Sequence, residues 1–114
     1  MEEPSVQNRR HPRYLADLEV IIYRQEDAIR AHIAQISRGG CLIFPPLPDP
    51  AASQLKMSFR LGEDLPYTNC KGEVAYSIND RGTGVVFTEI SRYNQDLITD
   101  YFERRLAAQK QPGA

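Results

Sequence analysis

Leu55-Lys56-Met57-Ser58-Phe59-Arg60-Leu61 alternates apolar and polar side chains at every step. A period of two marks a strand with one face on a core and the other in water. Such a strand needs partners, and the sequence on either side supplies them. Residues 16–23 are rich in β-branched and aromatic types, which pack well on a pleated surface. Residues 28–36 alternate, with Ile29, Ala31 and Ile33 on one face and Arg30 and His32 on the other, and the polar stretch 24–27 reads as the turn of a hairpin. Residues 40–44 form a short apolar strand stopped by Pro45 and Pro46. The stretch 45–53 holds four prolines, which cannot pair inside a sheet, so a surface loop is expected.

Downstream, residues 68–78 alternate again, with Cys70, Val74, Tyr76 and Ile78 assigned to one face. Asn79-Asp80-Arg81-Gly82 is a turn, and residues 84–87 give a last short strand. The period then changes to 3.6. Ser91 is a candidate N-cap, followed by Leu97, Ile98, Tyr101, Phe102, Arg105 and Leu106 at helical spacing. Arg104 and Arg105 are expected in the last turns, where positive charge suits the helix dipole. Short strands, tight turns and one C-terminal helix predict a mainly β fold: a small six-stranded antiparallel β-barrel, with the helix over an open end or side. One domain is expected over residues 9–107, with mobile tails at 1–8 and 108–114.

Composition narrows the function classes. The 114 residues are 41% hydrophobic and 25% charged, as in an ordinary globular domain. A net charge of −1 argues against general nucleic-acid binding, which asks for a basic domain. Eleven arginines stand against three lysines; arginine is the better planar reader of anions, although a GC-rich coding sequence gives the same bias. No run approaches the roughly 20 apolar residues of a membrane span, and the acidic start lacks a signal-peptide pattern, so a cytoplasmic protein is expected. Cys41 and Cys70 are far apart and inside strand-like runs, which suits reduced, buried thiols. His11 and His32 have no companion ligands for a metal, and Ser37 has no His–Asp set around it. No enzyme is expected.

Two short segments carry chemistry. Arg9-Arg10-His11-Pro12-Arg13 puts two arginines four positions apart, and Gln35-Ile36-Ser37-Arg38-Gly39-Gly40 is a polar turn between two strands. Guanidinium forks bond phosphate oxygens in pairs and stack on flat rings, while a glycine turn lets backbone N–H groups come close. Each segment alone reads more readily as solvated surface or as a hairpin turn or bulge. Together they point to a small anionic ligand with planar groups.

In this order the two segments resemble the PilZ domain family, marked by Arg-x-x-x-Arg and then Asp/Asn-x-Ser-x-x-Gly. Arg9 and Arg13 meet the first motif, with Arg10 an additional arginine; Ser37 and Gly40 meet the second, with Gly39 the small neighbour. Gly72-Glu73-Val74, Gly84-Val85-Val86-Phe87 and the helix from Ser91 look like the later elements of that family. Gln35 departs from the pattern, being longer than Asn and uncharged, unlike Asp. The resemblance implies a bacterial receptor for the second messenger cyclic di-GMP, with no other cofactor. Its arm, carrying Arg9, Arg10 and Arg13, would order over the phosphates and guanines. Gln35, Ser37, Gly39 and Gly40 would hold a guanine from the barrel side, and the output would pass to an unidentified effector protein. In that family an arginine just before the first motif accompanies an intercalated ligand dimer; Asn8 stands there in this chain. A ligand-blind PilZ-like adaptor, working through protein contacts alone, is the alternative that Gln35 favours.

Overall fold

The computed structural model describes residues 11–24, 27–48 and 54–109. Six strands, β1 (Tyr14–Arg24), β2 (Asp27–Ile36), β3 (Gly40–Phe44), β4 (Gln54–Phe59), β5 (Thr68–Ile78) and β6 (Gly82–Glu89), precede one helix, α1 (Arg92–Gln109). The strands close into a barrel in the order β1-β2-β3-β6-β5-β4, every pair antiparallel. The expected mainly β barrel with a C-terminal helix is therefore the observed fold. The expected tails, 1–8 and the end of 108–114, lie outside the described residues; α1 itself runs on to Gln109.

The alternating strand that decided the fold behaves as its sequence dictates. Leu55, Met57 and Phe59 are buried, and Leu61 continues the same face past the end of β4. They meet Val20 and Ile22 from β1, Ile33 and Ile36 from β2 and Ile43 from β3 inside the barrel. Helix α1 lays Ile98 and Phe102 onto this core. The Phe102 ring stacks on Tyr14 at 5.2 Å and meets the edge of Tyr101 at 5.1 Å. Ser91 caps the helix: its Oγ accepts the Asn94 N–H at 3.1 Å. Because the helix continues to Gln109, Arg104 and Arg105 sit a turn before its end, and the last turn carries no basic residue. The thiols of Cys41 and Cys70 are free and buried.

Two irregularities re-aim side chains. Between β2 and β3 the register passes from Ile33↔Ile43 to Gln35↔Leu42. Two steps on β2 thus oppose one on β3, a β-bulge. Alternation from Ile29, Ala31 and Ile33 would carry Gln35 into the core; the bulge buries Ile36 instead and leaves Gln35 half-buried at the wall. Between β5 and β6 the register passes from Val74↔Val85 to Tyr76↔Gly84, with Ala75 as the extra residue. The assignment of Tyr76 and Ile78 to one face with Cys70 and Val74 is therefore corrected. Beyond the bulge both turn outward and are exposed, while the Ser77 hydroxyl turns to the buried Thr83 hydroxyl at 3.0 Å.

Candidate functional site

The two bulges, the 37–40 turn and the segment entering β1 surround one cleft on the outer wall of the barrel, of about 250 Å³. Its walls include His11, Arg13, Gln35, Ser37, Gly39 and Gly40, completed by Leu42, Ala75, Tyr76, Gly84 and Val86 from the β3-β6-β5 face. The cleft thus brings together Arg13, Gln35, Ser37, Gly39 and Gly40, which the sequence placed in two segments more than 20 residues apart. Arg9 and Arg10 lie outside the described residues.

The turn is held by its own hydrogen bonds. Ser37 N–H donates to the Gly40 carbonyl at 2.9 Å, Gly39 N–H donates to Ser37 Oγ at 3.1 Å, and Phe87 N–H donates to the Gly39 carbonyl at 2.9 Å. The expectation that this glycine turn offers backbone N–H groups to a ligand is thereby narrowed. Both the Ser37 and Gly39 N–H groups are spent inside the turn. The Ser37 oxygen accepts there, which leaves its O–H to donate outward. Gly40 is required for a different reason: a Cβ at this position would run into the Val85 carbonyl of the facing strand, so only glycine lets β3 and β6 approach this closely.

Tyr76 is the part of the cleft that the sequence concealed. Its ring lies against Gly84, directly across the β5–β6 pair, where any Cβ would overlap it. An aromatic packed on a cross-strand glycine is a stable pairing. With one face on the backbone and the residue 47% exposed, Tyr76 offers a flat apolar wall. The legible signal was Gly84 in a strand otherwise rich in valine; the bulge that brings the two together leaves no mark of its own. On the other side, a Cβ on Gly39 would sit 3.4 Å from His11 Cδ2, ordinary packing distance, so the imidazole covers that edge of the turn.

Electrostatically the cleft is one-sided. Arg13 stands at its mouth, exposed, and no carboxylate is among the described residues that line it. Gln35 supplies an amide, with a carbonyl acceptor and two N–H donors. An arginine, a neutral amide, a serine hydroxyl and a tyrosine ring can hold an anion bearing a planar, hydrogen-bonding ring. Among the described residues no group of His, Cys, Asp and Glu could hold a metal ion, and no helix is long and apolar enough to cross a membrane.

A closed barrel capped by one helix, with an arginine-edged cleft in its outer wall, has the build of a small binding module. The chain belongs to the PilZ domain family, whose model matches residues 7–104. Its fold is similar to the inhibitor of motility MotI/DgrA of Bacillus subtilis, with a TM-score of 0.78 and 24% identity over 90% of this chain and 53% of that one. It is also similar to Borreliella burgdorferi PlzA, crystallised in complex with c-di-GMP, with a TM-score of 0.58 and 20% identity over 86% of this chain and 43% of that one. The PilZ domain of CeSA from a cellulose-synthesizing bacterium gives a TM-score of 0.55 and 15% identity over 88% of this chain and 99% of that domain. The chain spans about half the length of MotI and less than half that of PlzA. No curated protein matches it in sequence.

Proposed function

We propose that this chain is a cytoplasmic, non-catalytic receptor for cyclic di-GMP that passes the signal to a partner protein. The observation that carries the reading is the cleft itself. Arg13, Gln35, Ser37 and the glycine pair line one concavity beside Tyr76, with no carboxylate among the described lining residues. Membership of the PilZ family and the c-di-GMP complex of PlzA support the choice of ligand.

In this reading the guanidinium of Arg13, joined by Arg9 and Arg10 of the same segment, takes phosphate oxygens and the O6/N7 edge of a guanine, acceptors that suit an arginine fork. The Gln35 carbonyl accepts a guanine N–H, the Ser37 hydroxyl donates, and Tyr76 forms the flat wall against a base. The cleft's roughly 250 Å³ lies at the small end of ligand pockets. It suits one base and its neighbouring phosphate, with the remainder of the dinucleotide left to the arginines of the arm.

Titration calorimetry with cyclic di-GMP, with GTP as control, tests the proposal. Charge-assisted hydrogen bonds contribute about 1.5–3 kcal/mol each, so Arg13→Ala and Arg9→Ala should each weaken binding about tenfold to a hundredfold. Arg13 is exposed and outside the core, so its thermal midpoint should stay put. Wild-type affinity in both variants removes the arm from the site. The second reading, a ligand-blind adaptor, is favoured by Gln35 and predicts no heat from wild type with either nucleotide.

A further inference from the structure

Arg38 lies in the middle of the 37–40 turn, yet it is not among the residues that line the cleft. Its side chain points the other way, onto α1. Arg38 Nη1 donates to Asp96 Oδ1 at 2.8 Å and to Thr99 Oγ1 at 3.2 Å. Its backbone carbonyl accepts from Gln95 Nε2 at 2.9 Å. Three residues in the first half of α1 therefore grip one turn residue, and the guanidinium is only 25% exposed in the pair with Asp96. No other contact of that kind joins the turn to the helix among the described residues. The same helix holds the strand that follows Arg13: the Tyr14 hydroxyl donates to Glu103 Oε2 at 2.7 Å and its ring stacks on Phe102. Both polar edges of the cleft are thus fastened to α1, one by each half of the helix.

We propose that Arg38 is a positioning residue, which sets the shape of the 37–40 turn by anchoring it to Asp96 and Thr99 of α1. The idea rests on the assignment of the cleft to cyclic di-GMP. Without the side-chain anchor, the turn keeps its internal hydrogen bonds and the Gln95 bond to the Arg38 carbonyl, but loses the two guanidinium bonds that, with it, fix where Ser37 and Gly39 stand relative to Arg13 and Tyr76. The coupling is reciprocal by thermodynamic necessity: a helix that favours the ligand-ready turn is itself held more firmly when ligand occupies the cleft. A mere surface ion pair would do neither, since exposed pairs are worth little.

The test uses the full chain with cyclic di-GMP as titrant and amide hydrogen exchange as a second measurement. Arg38→Ala, and separately the pair Asp96→Ala with Thr99→Ala, should each weaken binding about fivefold to tenfold, the lower end of site-to-site couplings. Combining all three should weaken it no further, and Arg38→Lys should recover most of the affinity. In wild type, saturating ligand should slow exchange in the stretch 95–99. In Arg38→Ala, saturated at higher concentration, that slowing should vanish. Ligand-free, Arg38→Ala should exchange faster than wild type in the 37–40 turn, which tests the anchor even if wild type binds no cyclic di-GMP. In that event the failure belongs to the assigned ligand and not to the anchor. Weakened binding in Arg38→Ala but not in the Asp96/Thr99 variant would mean that Arg38 touches ligand directly, and would overturn the proposal. So would wild-type affinity in both, or equal exchange of the turn with and without the anchor.

Discussion

The most telling single residue is Gln35, which lines the cleft at the position where the motif this segment resembles carries Asp or Asn. With cyclic di-GMP as the proposed ligand, a carboxylate would accept guanine N–H groups more strongly than an amide, because charged hydrogen bonds are shorter and stronger. It would also bring a negative charge close to ligand phosphates, and aspartate is one methylene shorter than glutamine. The net expectation for Gln35→Asp is a modest gain of about 1 kcal/mol, or roughly fivefold tighter binding, read by parallel titrations of variant and wild type. Unchanged or weaker binding would show that length and neutrality at this position suit the site. A second residue makes a prediction about pH. Burial, followed by hydrogen-bond donation to Glu103, pushes the Tyr14 phenol up to about 12. A group whose pKa is raised by folding stabilises the fold fully below its unfolded pKa, near 10 for tyrosine, and that contribution fades as pH rises towards about 12. The stability difference between wild type and Tyr14→Phe should therefore be constant up to about pH 10 and shrink above it. A difference that stays level to pH 12 would mean that Tyr14 titrates normally.

At the scale of elements, the cleft is a product of two bulges and two glycines. The bulge at Ala75 turns Tyr76 out of the barrel, and Gly84 gives the ring a floor. Gly84→Ala should push the half-exposed ring away, weakening ligand binding while leaving the fold in place. Gly40→Ala is a different experiment on the adjoining strand pair. Its Cβ meets the Val85 carbonyl, a backbone atom that cannot swing aside, so the cost falls on the β3–β6 ladder and should be about 1–3 kcal/mol of stability, as for other overpacked positions. Thermal melts and titrations of the two variants should separate cleanly, one losing affinity and the other stability. A Gly84→Ala protein as unstable as Gly40→Ala would show that the Tyr76 ring cannot move.

At the scale of the molecule, the barrel interior encloses both thiols. Burial pushes Cys70 up to about 12, and burial together with the neighbouring Cys70 pushes Cys41 higher still. Neither forms the reactive thiolate at neutral pH, so a thiol reagent at pH 8 should label the protein only as fast as the barrel opens as a whole. Rapid labelling of native protein at either position would show a local opening.

The barrel was legible because burial drives it: Leu55, Met57 and Phe59 on β4, and Ile29, Ala31 and Ile33 on β2, alternate where one face meets the core. The site was legible only as two polar segments. Bulges follow from how two strands pair, not from either strand alone, so alternation read within β5 sent Tyr76 to the wrong face. Arg38 was opaque for the same reason, since its partners Asp96 and Thr99 lie on an element nearly 60 residues away.

Closure of the sheet has one more consequence. Because β1 pairs with β4 as well as with β2, every described strand has a neighbour on both sides over part of its length, although β2 meets β3 only over residues 32–36 and β5 meets β4 only over residues 68–73. A partner that extends the sheet with a strand of its own, or a second barrel that stacks edge to edge, therefore has only these short overhanging stretches to pair with, not a full-length edge. Over the closed part of the wall, whatever recognises this domain reads its side chains.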